Sequence, residues 1–356
     1  MSFEGYEEGE IEAARAAARL ENGIILHPAL KWAEKRLRMH QARSLILDGQ
    51  EPQPGHLQIV TGEAGAGKTT LLKIHQRRFP SYRNEDGVVM PVVRVEMPSP
   101  CTRKGLVEAI LGALGHSASE DWRTIQIVEE IANLAERHHV RMIMLDEADR
   151  IFGAETKEVA RFLVSLLNKV KVQFVLSGAP EIQNLHRGYG LERRKEADIW
   201  LRPYRWDTSE GQRDFRSLLK VFDYRLELGE LVGLDQFDLA RRIYVATGGH
   251  VGLVSKLLVA TLRSSLEQEC QFDRLMLGKV YSSFQKQADD GPMIDFDRDV
   301  LRNPVEEIGL DPSANPFLCT PKELRDIWEE KVQSPNSAYA ERGSRKIGGK
   351  LKKARE

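Results

Sequence analysis

Short apolar runs alternate with longer amphipathic stretches through the first two hundred residues, and this rhythm is the chain's main structural signal. "GHLQIVTG" is an apolar run ending in glycine and predicts a strand, with the helix "KTTLLKIHQRRF" behind it. "GVVMPVVRVEMPSP" predicts a second strand region closed by prolines; "VRMIMLDE", "VQFVLSGAP" and "ADIWLRPYRW" predict three more. Between them "RKGLVEAILGALG", "RTIQIVEEIANLAERHH" and "TKEVARFLVSLLNKV" carry helical periodicity. Strands separated by helices, each strand apolar throughout, imply a parallel sheet covered on both faces. From about residue 211 the strands stop. "GQRDFRSLLKVFDYRLEL", "DQFDLARRIYVATGG" and "HVGLVSKLLVATLRSSLEQ" read as helices, the last with Val251, Val254, Leu258 and Leu262 on one stripe.

Two helical patterns precede the sheet, "EIEAARAAARLE" and "HPALKWAEKRLRMHQARS". The expected organisation is an acidic arm over 1–22, an α/β domain over 23–210, a helical lid over 211–285 and a polar, basic-ended tail over 286–356. "TPKELRDIWEEKV" predicts one short helix in that tail.

Charge changes the picture only locally. The formal net charge is −1, so no global field draws the chain to nucleic acid, and any such contact needs a local patch or several copies together. Cys101, Cys270 and Cys319 lie far apart without CxxC spacing, which excludes a disulfide framework or zinc site and fits a reducing cytoplasm. No apolar run approaches the ~18 residues a bilayer span needs, so no membrane partner is expected.

"GEAGAGKT", Gly62 to Thr69, satisfies G-x-x-x-x-G-K-S/T between a strand and a helix. Glycines let such a loop wrap phosphates while its backbone N–H groups point at their oxygens. Gly62, Ala64, Gly65, Ala66, Gly67 and Thr70 form this ATP cradle, Lys68 meets the outer phosphates, and Thr69 offers its hydroxyl to Mg²⁺. Asp146 ends an apolar strand, where a buried carboxylate is costly unless it serves a cation, so it is expected to share the Mg²⁺ shell. Glu147 then orients or deprotonates the attacking water. Ser177, closing "VQFVLS", either senses the terminal phosphate or caps its own turn.

The order of these motifs resembles the TniB/TnsC-type ATPases that regulate transposition, over roughly residues 20 to 265. The resemblance rests on "NGIILHPAL", "GEAGAGKTT", "VRVEMPSP", "MIMLDEADR", "VLSGAPE", "LERR" before a strand ending "PYRW", then "FRSLLKVFDYRLEL" and "TGGHVGLVSKLL". It implies a P-loop AAA+ fold with a small helical lid, and an ATPase that oligomerises on double-stranded target DNA. It further implies a link between a target-selection protein and the transposase, with hydrolysis driving disassembly. In AAA+ ATPases an arginine after the sensor strand faces the neighbouring subunit's nucleotide; Arg194, or Arg193 beside it, matches that place. One departure stands out: Val251 and Gly252 occupy the helix start where many AAA+ lids carry an arginine. Rival readings are a nucleotide-gated scaffold with incidental hydrolysis, and an origin-recognition-like or secretion-type AAA+ ATPase.

Thr102, Arg103 and Lys104, with Arg123 and Thr124, are candidates for sequence-independent DNA phosphate contacts; equally they are exposed residues starting helices. Asp295, Asp297, Asp299 and Glu306 have EF-hand-like spacing, but Val300 and Pro304 spoil the loop, leaving a solvated acidic linker. His138 and His139 are adjacent and so cannot form a ligand pair on a helix.

Overall fold

The computed structural model describes residues 8–23, 25–45, 55–117, 123–186, 191, 194–289, 315–320 and 322–324. They divide into two compact units, one over 26–202 and one joining 1–25 to 203–356.

The first unit is built on five parallel strands: β1 (Leu57–Gly62), β4 (Val92–Glu96), β5 (Met142–Asp146), β6 (Gln173–Gly178) and β7 (Ile199–Leu201). Their order across the sheet is β4-β5-β6-β1-β7. β5 and β6 are buried at every position, which is why "MIMLD" reads as a continuous apolar run rather than an alternating one. One face carries α4 (Arg103–Ala113), α5 (Thr124–Arg137) and α6 (Thr156–Lys169), whose apolar stripes join the sheet in one core around Ile59, Val95, Ile143 and Leu176. The other face carries α2 (Pro28–Ala42) and α3 (Lys68–Arg78). Proline opens α2, where its missing N–H costs nothing. A small antiparallel hairpin, β2 (Tyr82–Asn84) with β3 (Gly87–Val89), lies between α3 and β4 in sequence; β3 falls inside the predicted strand region "GVVMPVVRVEMPSP", whereas β2, exposed at every position, was not predicted.

The second unit is helical among the described residues: α1 (Glu8–Asn22), α7 (Ser209–Leu226), α8 (Phe237–Thr247), α9 (Val251–Glu267) and α10 (Arg274–Asp289). Most of the expected acidic arm is α1, and it packs on α9. Ala13, Ala16, Ala17 and Leu20 make a buried i, i+3, i+4, i+7 stripe, while Glu10, Glu12 and Glu21 are exposed on a docked helix. The expected lid is also longer than its sequence boundary, because α10 runs to Asp289. Trp206, Phe215 and Tyr244 form its aromatic centre, with ring centroids 5.4–6.0 Å apart. Thr208 caps α7 by accepting from the Gly211 N–H at 3.1 Å. Asp223 of α7 accepts three backbone N–H bonds, from Val232, Gly233 and Leu234, at 2.7–2.9 Å and so pins the loop to α8.

Part of the expected tail is folded onto this unit. Arg242 of α8 is wholly buried, paired with Asp238 at 2.8 Å, and donates to the carbonyls of Pro316 (2.7 Å) and Cys319 (2.8 Å). Asn315 donates to Gly278 O and Ser282 Oγ, and Phe317 stacks edge-on against Tyr281. The short helix expected from Thr320 is described only over 322–324. Among the described residues no single helix is long and apolar enough to cross a membrane.

Candidate nucleotide site

β1 ends at Gly62, where a Cβ would lie 2.5 Å from the Leu201 carbonyl, so only glycine lets the loop leave so close to β7. Gly65 (φ 73°) and Gly67 (φ 89°) take left-handed backbone, and Gly67 caps α3 without any side-chain acceptor. The leading N–H groups of α3 therefore face the loop with no acidic neighbour in the first turn, an arrangement suited to an anion. Lys68 opens α3 and folds back on the loop, its Nζ donating to Gly62 O (2.8 Å) and Glu63 O (3.0 Å). Burial lowers its pKa, and the carboxylates of Asp149, Glu147, Asp146 and Glu181 oppose that shift. Ala64 is exposed in the loop; Ala66, Thr69 and Thr70 are half-buried, the two threonines in the first turn of α3.

The strand order does the rest. β6 lies between β1 and β5, so the phosphate-type loop, Ser177 and Asp146 all come from carboxyl ends of neighbouring parallel strands. Asp146 is buried; its Oδ2 is 3.3 Å from an Arg94 guanidinium nitrogen and its Oδ1 accepts the Glu147 N–H at 3.2 Å. Glu147 has left-handed backbone (φ 55°, ψ 39°), a strain of about 1–3 kcal/mol for a non-glycine residue. It caps a 3₁₀ turn, Ala148–Ile151. Asp149 on that turn accepts the Ala179 N–H at 2.8 Å, tying it to the end of β6. The Ser177 hydroxyl is buried and has no hydrogen-bond partner among the described residues.

Residues 53–185 match the AAA domain family. Among curated proteins, none matches the chain. Of solved structures, the Aeropyrum pernix ORC1 protein in complex with DNA is similar at a TM-score of 0.53 and 15% identity, over 89% of this chain and 87% of that one. The Thermotoga maritima RuvB Holliday junction branch migration motor aligns at a TM-score of 0.44 and 15% identity, over 84% and 87%. The fold is that of a P-loop AAA+ ATPase.

Within this AAA+ core the donor set fits a nucleotide with a divalent cation. Among the described residues no group of three or more His, Cys, Asp or Glu side chains is arranged to hold a metal by itself. A cation here would rest on Thr69, Asp146 and the phosphates it accompanies, and Asp146 already draws one positive group, Arg94. Two participants carried no sequence signal strong enough to find them. Arg94 is the one basic residue in the strand "VVRVE", and Asp149 is one acid among several in "DEADR".

Arg194 is half-buried just ahead of β7, donating to Leu167 O at 3.3 Å. Between β6 and it the chain forms a 3₁₀ segment, Pro180–His186, and Arg193 lies outside the described residues. The DNA candidates fall on one edge of the unit. Thr102 is the N-cap of α4, accepting from Gly105, and Arg103 bridges to the Thr124 hydroxyl at the start of α5. Arg123 is the N-cap of α5; Lys104 approaches Glu108 at 3.9 Å and stays mostly exposed. A groove of about 530 Å³ runs beside them, lined also by Glu155, Glu158, Arg161 and Ser165. The EF-hand-like acids lie outside the described residues. His138 caps the end of α5, its Nδ1 3.0 Å from Val88 O, while His139 is exposed.

Proposed function

We propose that this chain is an ATP hydrolase that assembles on double-stranded DNA and regulates transposition, linking a target-selecting protein to a transposase. The observation that carries the hydrolase is the convergence of Lys68, Asp146, Glu147 and the unpartnered Ser177 hydroxyl at three adjacent strand ends. Lys68 exchanges its loop carbonyls for phosphate oxygens, and the α3 amides hold their charge. Thr69 and Asp146 would hold the magnesium that accompanies ATP, which would supply neutralising charge to the phosphates. Glu147 accepts the proton of the attacking water, and Ser177 donates its otherwise unmatched hydroxyl to the phosphate that leaves. Arg194 acts on the nucleotide of an adjoining subunit, so turnover depends on assembly.

The DNA-binding part is supported by Arg103, Lys104 and Arg123 at the starts of α4 and α5. The transposition part is carried by the motif order from "NGIILHPAL" to "TGGHVGLVSKLL". A nucleotide-gated scaffold is the second reading, favoured by Val251 and Gly252 at the start of α9, where an arginine is absent. ATP turnover measured with and without duplex DNA separates the two. Stimulation by DNA, and a loss of about 10²-fold or more in Glu147→Gln with ATP binding retained, support the hydrolase. Equal turnover in that variant would sink it. Lys68→Ala should lose nucleotide binding and assembly together; electron microscopy with ATP and DNA, showing rings or filaments for the unaltered chain only, is the check.

A further inference from the structure

The stretch from Arg194 to Asp198 has almost no regular structure of its own, yet it is fastened along its length. The Glu196 N–H donates to Leu57 O at 2.8 Å, and Gln58 donates to the Ala197 carbonyl. Asp198 takes Gln183 at 2.9 Å and Lys195 at 3.0 Å. The Glu196 carboxylate is held from α2: Arg43, just past the helix, bonds to it, and His40 Nδ1 lies 3.2 Å from Oε1.

His40 is the unusual member. Its ring is wholly buried, and its other nitrogen, Nε2, is 3.1 Å from the Phe174 carbonyl on β6. The ring is thereby wedged between the β6 backbone on one side and the Glu196 carboxylate on the other, so the segment carrying Glu196 is referenced to both α2 and the sheet. His56 is pushed toward its neutral form, first by burial and then by Arg43, against the opposing pull of Glu196. Glu196 itself is held below the usual carboxylate range by the His40 hydrogen bond.

The helix that supplies this clasp also touches the phosphate-type loop: Leu30 lies 3.7 Å from where a Gly67 Cβ would stand. Leu30 and His40 are about 15 Å apart along one helix.

We propose that His40 and Arg43 are positioning residues for Arg194: by gripping Glu196 they fix the segment that presents the arginine, and α2 references it to the subunit's own nucleotide loop. This rests on the reading of Arg194 as the trans-acting arginine. A misplacement of about 1 Å in such a group can cost about 10²-fold, so loosening the clasp should lower the DNA-stimulated kcat of Glu196→Ala roughly 10- to 100-fold with KM for ATP little changed.

The test is a double-mutant cycle on the full chain. If Glu196 acts through Arg194, Glu196→Ala costs less than about twofold when added to Arg194→Ala, whereas independent losses multiply. Multiplicative loss overturns the proposal. Glu196→Gln guards against simple misfolding, because it keeps the side chain's shape and removes only the charge that Arg43 pairs with; it should melt like the unaltered chain and still lose DNA-stimulated turnover. Arg43→Ala should reproduce the loss in kcat with KM for ATP little changed, and normal turnover in that variant overturns the proposal. If Arg194→Ala alone leaves turnover unchanged, the trans-arginine reading has failed and with it the positioning role; if Arg194→Ala lowers turnover while Glu196→Ala does not, only the positioning role has failed.

Discussion

His75 sits buried between α2 and α3, its Nε2 2.7 Å from Gln41 Oε1, and burial pushes its pKa down to about 4. His27, which caps the start of α2, is pushed down to about 4 by the same cause. A histidine whose folded pKa lies below its unfolded value of about 6.5 leaves stability untouched above that pH and costs stability as pH falls through the interval. Each group is worth on the order of 3 kcal/mol by the time pH nears 4. Urea midpoints should therefore fall between about pH 7 and about pH 5, and His75→Gln should lose roughly half of that dependence. An unchanged slope in His75→Gln would clear the residue. Legibility at this scale follows the chemistry. The phosphate-loop residues could be read because a loop that wraps phosphates needs glycine, lysine and a hydroxyl at fixed spacing. Arg94, Asp149 and the His40–Glu196 pair could not, since each acquires its role from a partner at least 30 residues away that only the folded sheet brings near.

Among elements, the later motifs of the sequence resemblance, "PYRW", "FRSLLKVFDYRLEL" and "TGGHVGLVSKLL", turn out to be largely packing. Tyr204, Trp206 and Phe215, from "PYRW" and the following "F", are buried in the aromatic centre of the helical unit. The "GG" of "TGGHVG" turns the chain between α8 and α9 with two left-handed residues, Gly248 at 57° and Gly249 at 77°. At Gly249 a Cβ would stand 2.3 Å from the Tyr204 carbonyl, whose own N–H is bonded to Gly249 O at 2.9 Å. Gly249→Ala combines positive φ with a backbone collision, and should cost about 2–4 kcal/mol, read as a lower urea midpoint with an unchanged m-value. Loss under about 0.5 kcal/mol would mean that the turn relaxes freely. Most helix and strand positions were legible from periodicity, because those elements bury one continuous stripe or both faces; α10 and the exposed β2 were not among the predicted elements. The docking of α1 was not: alanines bury too little area to distinguish a packed stripe from a good solvated helix.

At the scale of the whole molecule, a net charge of −1 makes DNA binding a property of assemblies. Each neutralised phosphate adds about −0.9 to the slope of log K against log salt, so repeated Arg103 and Lys104 contacts should give a steep dependence when a non-hydrolysable ATP analogue holds subunits together. Arg103→Ala with Lys104→Ala should weaken binding to all sequences alike and flatten that slope by about two per engaged subunit. Titrations across a salt series decide it; an unchanged slope would acquit the start of α4 and turn attention to Arg123 and Thr124. Finally, the buried Arg242 bears on where this protein can be cut. A stop codon placed after Asp289 spares every long helix among the described residues, yet it removes the Pro316 and Cys319 carbonyls and strips Phe317 from Tyr281. The shortened chain would keep a guanidinium half-matched by Asp238 beside freshly bared aromatic surface, and should aggregate on expression, whereas one ending after Leu324 keeps its own stopper in place.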